Sequence, residues 1–258
     1  MKVVCISDTH DLHTEIQVPD GDILIHAGDI TTNGAEDAIL NFNNWLGKLP
    51  HKYKVVTAGN HDYYAESQPD KFRKLLSNAI YLCNESIEIE GIKIWASPHS
   101  PISPKFGDDG AFVVRRGQEI RKQWQLIPAD TDILVTHCPP LGILDKNESG
   151  SNEGCDELLN VVQNQIKPRL HIFGHIHHAH GQKRVGPTVY INASIADLQG
   201  WLVDSKVISA ARKLAVSLGF FRRANQIRKF LGVSKQVLHK SVSSVHLKAK
   251  NQPVVVEL

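Results

Sequence analysis

Cysteine is scarce in this sequence of 258 residues, and the four present (Cys5, Cys83, Cys138 and Cys155) have neither CxxC nor zinc-finger spacing. That excludes a disulfide framework and predicts a reducing, cytoplasmic setting. Cys5 sits in an apolar run, where a thiol behaves as a small hydrophobe. No stretch approaches the ~18–20 apolar residues of a membrane span. The opening MKVVCISDTH turns polar after seven residues, so neither a signal peptide nor a transit peptide is expected. Internal repeats and low-complexity tracts are absent too. The length fits one large domain, or one domain with an addition. A domain of that size buries about 70–75% of the surface its unfolded chain exposes, so it folds without staples.

Net charge is also nearly absent, at +2, but the balance is uneven. From Leu198 to Lys250 there are eleven Lys/Arg and one acid, Asp204, for a local +10; the remainder carries −8. Two parts of the chain therefore do different electrostatic jobs.

What is present is a series of short apolar runs alternating with helical patterns. KVVCIS (Lys2–Ser7), DILIHAG (Asp22–Gly28), YKVVTAG (Tyr53–Gly59), DILVTH (Asp132–His137) and LHIFG (Leu170–Gly174) read as strands buried on both faces. Ala35–Leu46 has one apolar face, with Gly47 as its expected C-cap. Pro69–Ser77 starts on a proline, and Cys155–Ile166 ends before Pro168. Ile87–Ile94 frames a hairpin, and Thr188–Asn192 and Pro253–Leu258 read as further antiparallel strands. The expected fold class is α/β: two packed mixed sheets with helices outside, a four-layer α/β/β/α sandwich.

Each of the five buried strands ends in residues that bind metals or titrate. They give Asp8 and His10 (SDTH), Asp29 (AGD), Asn60 and His61 (AGNHD), His137 (THCPP), and His175 and His177 (GHIH). In open α/β sheets ligands bind outside the carboxyl ends of the strands, so these residues should converge on one rim. They are too many for one metal and suit two. Gly28, Gly59 and Gly174 precede the polar residues; glycine there allows an unusual φ or a close approach of the ligand-bearing backbone. Taken singly, each signal has a plain structural reading: DxH is uninformative, GD and GNH are common turns, and His137 alone reads as a hydrogen-bonded core imidazole. Five in this order, each after an apolar strand, are hard to explain as turns. Among the other histidines, His26 and His171 read as core or supporting residues. His13, His178 and His180 flank ligands, and His99 reads as a loop residue.

The pattern DxH, GD, GNH, lone His and GHxH resembles the calcineurin-like metallophosphoesterase superfamily. ILIHAGDIT, VVTAGNHD, ILVTHCPPLGILD, GCDELL, PRLHIFGHIHHAHG and YINAS resemble its MPPED-like branch of class III cyclic nucleotide phosphodiesterases. The likeness covers Met1–Ile195 and the closing QPVVVEL; Cys138 departs from it, standing where glycine is frequent. Some animal members of the branch lack one GHxH histidine, but both are present here. The resemblance implies that Asp8, His10 and His177 hold one metal and Asn60, His137 and His175 the other. Asp29 would bridge the two, one carboxylate oxygen to each ion. His61, with Asn60, would face the substrate and either protonate the leaving oxygen or steady the phosphate. Two divalent ions about 3.5–4 Å apart would neutralise a small phosphodiester and supply hydroxide near neutral pH. The mixed nitrogen and oxygen donors suit Mn, Fe or Zn. Two rival functions are a lipid-linked pyrophosphate hydrolase at a membrane surface and a non-catalytic scaffold on the same fold.

The likeness to that branch also implies that YINAS leads almost directly to PVVVEL, yet about fifty residues intervene. Val203, Val207, Ala210, Ala211, Leu214, Leu218 and Phe221 keep helical spacing among many basic residues, and Ala224–Leu231 continues it. The organisation read is a core over 1–197, a basic amphipathic helical insertion over 198–250, and a final core strand over 251–258. The insertion has four open readings: docking on the core or a second subunit through residues 200–244, an anionic membrane surface that would make the protein peripheral, a lid guiding anionic substrate, and nucleic acid. The last is disfavoured because no aromatics are interleaved for base stacking.

Overall fold

A computed structural model describes residues 1–103, 110–197 and 248–258. Met1–Ala196 and Ala249–Leu258 form one compact unit. The basic helices expected over 203–231 lie outside the described residues. In the first sheet β1 (Lys2–Ile6), β2 (Ile23–Ala27) and β3 (Tyr53–Thr57) run parallel. The two-residue β4 (Ile80–Tyr81) lies beside β3. The last strand, β15 (Val254–Glu257), pairs antiparallel with β1, as expected from its sequence.

The second sheet has the order β11 (Gly181–Val185), β12 (Thr188–Asn192), β10 (Leu170–Phe173), β9 (Ile133–Thr136), β6 (Ile92–Ser97), β5 (Glu85–Ile89). β5 and β6 form the expected hairpin through Glu90 and Gly91. β12 is only half as expected: it is antiparallel to β11 but parallel to β10, because it returns to the central strands. A short parallel pair, β7 (Ser100–Pro101) and β8 (Val113–Val114), follows β6. The two-residue strands β13 (Ala196–Asp197) and β14 (Lys248–Ala249) stand on either side of 198–247 in the chain.

The burial of alternate residues makes the layers. Val3, Cys5, Ile23 and Ile25 meet Ile94, Ile133, Ile172 and Ile191 between the sheets. The opposite residues, Val4, Ile6 and Leu24, pack against α1 (Glu36–Lys48), α2 (Tyr63–Ser67) and α3 (Pro69–Leu75) through Phe42, Leu46, Ala65 and Phe72. On the far side Trp95, Leu134 and Phe173 pack against α4 (Gln118–Trp124) and α5 (Asp156–Val161). Each such aliphatic or aromatic side chain contributes roughly 1.5–3 kcal/mol of burial. The result is the expected four-layer α/β/β/α sandwich.

Three boundaries differ from the sequence reading. Gly47 is not a C-cap; α1 runs through it to Lys48. A Cβ there would press on the Asn78 side chain, so the glycine makes room for the turn after α3. The helix expected over Cys155–Ile166 is α5 followed by a π turn at Val162–Ile166. Lys167 at φ 51° then ends it before Pro168. The helix expected over Pro69–Ser77 stops at Leu75.

The registers bring the carboxyl ends level. Ile6 pairs with His26 and Ala27 with Thr57, while Ser97 pairs with Thr136 and Phe173 with Asn192. The two sheets touch at this rim through a parallel bridge between Ser7 and Ser194.

Candidate metal centre

All eight residues named from the sequence stand on that rim. Asp8 and His10 follow β1, Asp29 follows β2, Asn60 and His61 follow β3, His137 follows β9, and His175 and His177 follow β10. Asp8, His10, Asp29 and His175 have φ of 51°, 42°, 54° and 69°. Left-handed backbone is uncommon outside glycine, and such strain collects at functional sites. Gly28 shares that geometry at φ 106°, but Gly59 and Gly174 do not; they are glycines for room. A Cβ on Gly59 would fall on Asp29 Oδ1, and one on Gly174 on Asp8 Oδ2.

The donor atoms gather in two sets. In the first, His177 Nε2 is 3.2 Å from Asp8 Oδ1 and 3.3 Å from His10 Nε2. In the second, Asn60 Oδ1 is 2.9 Å from both His137 Nε2 and His175 Nδ1. Asp29 Oδ2 stands between them, 3.6 Å from His10 Nε2 and 3.3 Å from His137 Nε2. The sequence reading gives each Asp29 oxygen its own ion; here Oδ1 accepts the His61 N–H at 2.8 Å, so one oxygen faces both sets. Asp8 is also close to both: one donor atom each from Asp8, Asp29 and His137 lie within 4.8 Å of one another.

The residues fit cations. Donors that share an ion at about 2.0–2.2 Å lie roughly 3–3.5 Å apart, and the separations here, 2.9–3.6 Å, bracket that spacing. Asp8 and Asp29 are buried carboxylates whose nearest groups of opposite charge are histidines, a lone-pair-rich set with few protons to share. Burial pushes both carboxyls up, but His177 beside Asp8 and His137 beside Asp29 outweigh it and hold them low. Burial lowers His10 to about 3. For His137 burial acts downward too, yet Asp29 and Asp8 raise it to about 9. Bringing a cation to His137 would therefore release a proton.

Supporting groups fix the rings. His137 Nδ1 lies 3.0 Å from Ala27 O, which only accepts, so Nδ1 carries a hydrogen and Nε2 is the nitrogen that would face an ion once its proton is released. His61 Nδ1 likewise donates to Thr32 O at 2.9 Å, leaving Nε2 open. Burial lowers His61, but Asp29 and Thr32 O bring it above its ordinary value. His26 is the expected supporting residue: its Nδ1 accepts from Gly28 N at 3.3 Å and its Nε2 meets Thr9 Oγ1 at 3.0 Å.

Asp62 was missed in the sequence, although it closes the AGNHD motif. Its buried carboxylate accepts from Ile30 N, Thr31 N, Thr31 Oγ1 and Gly59 N at 2.9–3.3 Å, stapling the Asp29 loop to the Asn60 loop. Burial and then Asp29 push it up to about 7 despite those donors. Of the remaining histidines, His171 is buried against Thr136 and His13 against Phe42, Trp45 and Asn41. His178 pairs with Glu148 at 2.6 Å, and His99 stands edge-on to Phe112. His180 is half-buried.

Comparison with known proteins shows the family of this chain. The profile described as calcineurin-like phosphoesterase matches residues 1–179. Human metallophosphoesterase domain-containing protein 1 is 40% identical over 231 residues, covering 80% of this chain and 70% of its own length. UPF0046 protein C25E10.12 of Caenorhabditis elegans is 42% identical over 219 residues, covering 76% of each. Among solved structures, the protein TT1561 of Thermus thermophilus superposes with a TM-score of 0.50 at 14% identity, over 74% of this chain and 88% of that one. That likeness is one of fold.

Proposed function

This chain belongs to the calcineurin-like phosphoesterase family, and from that premise we propose that it is a two-metal phosphodiesterase acting on a small phosphodiester. The observation that carries the reading is Asp29 Oδ2, a single buried oxygen facing His10 on one side and His137 on the other. Asp8, His10 and His177 would hold one ion, Asn60, His137 and His175 the second, and Asp29 both. Mn, Fe or Zn suits these donors. When bound, two such ions neutralise the phosphate and lower the pKa of water.

The chain's own residues do the rest. Asp8 and Asp29 stay ionised and hold the charge of the site. The His61 N–H turns the Asp29 carboxylate so that Oδ2 faces inward. His61 itself, with Nδ1 committed to Thr32 O, has Nε2 free to give a proton to the leaving oxygen. A cyclic nucleotide as the diester rests on resemblance to the phosphodiesterase branch alone.

The test is metal-stripped protein reloaded with Mn²⁺ and offered bis-p-nitrophenyl phosphate, p-nitrophenyl phosphate, and 2′,3′- and 3′,5′-cyclic nucleotides. Turnover of a diester is expected, and Asp29→Ala should lose metal and activity together. Manganese-loaded protein that turns over none of the four overturns the enzyme reading and favours the scaffold.

We propose that the basic segment engages an anionic membrane surface; the alternative is docking of its apolar face on the core or on a second copy. Deleting 200–244 should spare small-diester hydrolysis and abolish pelleting with anionic liposomes; equal pelleting rejects the lipid surface. No helix among the described residues is long and apolar enough to cross a membrane. Four free thiols support a cytoplasmic setting.

A further inference from the structure

The end of β12 supplies no metal donor, yet two fully buried side chains there reach into the centre, Asn192 and Ser194. Asn192 Nδ2 donates to Ile176 O at 2.9 Å and to Leu144 O at 3.0 Å. Carbonyls only accept, so both amide hydrogens are spent and the orientation of the amide is fixed. Its Oδ1 is left to accept, from Ser194 N at 3.2 Å, and lies 2.8 Å from Ser194 Oγ. Ser194 Oγ is also 2.9 Å from Asp8 Oδ2. The hydroxyl has one proton and two acceptors. A buried carboxylate is the stronger acceptor, so the proton goes to Asp8.

Two consequences follow for the centre. Asp8 Oδ2 is taken up by Ser194, and Oδ1 is the oxygen that meets His177 Nε2 at 3.2 Å. The Asn192 amide grips the backbone of Ile176, the residue between His175 and His177. The seam is locked by backbone bonds as well: Ile195 N to Ser7 O at 2.9 Å and Ala196 N to Asp8 O at 3.2 Å. From this geometry we infer that Asn192 and Ser194 are positioning residues, which set the Asp8 oxygen and the histidine turn that face an ion. Neither needs to touch substrate or metal. The inference rests on the two-metal reading above.

The experiment titrates Mn²⁺ into metal-stripped full-length protein by calorimetry, beside the melting temperature of the metal-free form. Ser194→Ala should bind at least one ion about 10–100-fold more weakly and melt a few degrees low, because the buried Asp8 carboxylate loses a donor. Ser194→Thr keeps the hydroxyl but crowds a buried position, so it should melt lower and bind near wild type. A serine that only fills space would show the reverse order. Ser194→Ala with wild-type affinity overturns the inference. If that variant does not fold, Asn192→Ser is read the same way: weakened binding supports the pair, and unchanged binding overturns it. Wild-type protein that takes up no Mn²⁺ would instead sink the two-metal reading itself, and the inference with it.

Discussion

Replacing Gly174 by alanine isolates one physical demand of the site. The residue lies just before His175, and its backbone is not in the left-handed region, so alanine meets no conformational penalty of its own there. The added Cβ, however, would land on Asp8 Oδ2 and Ser7 Oγ, both on the opposite sheet. Neither is the end of a flexible chain: Ser7 sits at the seam bridge, and Asp8 is held by Ser194 Oγ and the His175 N–H. Overpacking of this kind costs about 1–3 kcal/mol. That corresponds to roughly 2–12 °C of melting temperature at this chain length, and Asp8 must move. Gly91 is the matched control. It sits in the β5–β6 turn at φ 78° with nothing near its would-be Cβ, so Gly91→Ala costs about 1–2 kcal/mol of left-handed strain and leaves the rim alone. Scanning calorimetry should show both variants melting several degrees low. Titration with Mn²⁺ should show Gly174→Ala losing at least about tenfold in affinity and Gly91→Ala losing none. Wild-type manganese affinity in Gly174→Ala would refute the claim that Asp8 must stand where that Cβ would be.

Two further outcomes test other histidines. His61→Ala should keep its manganese and lose about 10²–10⁴ in kcat, read by calorimetry and diester turnover; loss of metal along with rate would make His61 a structural residue. His171 is fully buried and pushed down to about 3 by that burial, below its ordinary 6.5. Its contribution to stability is therefore complete above about 6.5 and is lost as pH falls toward 3. His171→Leu leaves Thr136 Oγ1 its bond to Cys138 O at 2.7 Å. The metal-free variant should lose less stability than wild type between pH 7 and 5, by up to about 1.4 kcal/mol per pH unit. Denaturant midpoints at the two pH values measure it, and equal slopes would refute it.

The strand ends were legible because the information is local. An apolar run, a small residue and a polar residue in sequence specify a buried strand, a turn and a donor, and five repeats of that order specify the rim. The layers were legible for the same reason. What escaped reading depends on partners distant in sequence. Asp62 looks like an ordinary helix-start acid until Ile30, Thr31 and Gly59 all point their donors at it. Asn192 looks like an ordinary strand end and Ser194 like a turn residue until β12 is set parallel to β10 and the seam closes on Asp8. α2 has five residues, too few to display a period. β11, GQKRV, is a largely exposed edge strand with no apolar alternation to betray it. Gly47 misled because the C-cap rule is local, whereas the demand on it comes from Asn78.

The left-handed residues of the rim would make poor loops if they were free, since each costs strain that only surrounding structure can hold. They are not free. Backbone bonds tie the loop after β1 to the loop after β2: Asp8 N donates to Gly28 O at 2.9 Å, His10 N to Asp29 O at 3.2 Å and Asp11 N to Ile30 O at 3.2 Å. Thr32 ties back to His10 O and Asp11 Oδ2. Asp8, His10 and Asp29 are thus set by backbone bonds between the two loops. At Asn60 and His61, Asp62 and the His61 contacts with Asp29 and Thr32 do the same. On the second sheet, His137 N donates to Ser97 O and Gly174 N to His137 O, which carries the same principle across β6, β9 and β10. A site held this way has its donors in place before any ion arrives, and preorganisation of that kind would let a few imidazoles and two carboxylates hold a cation tightly.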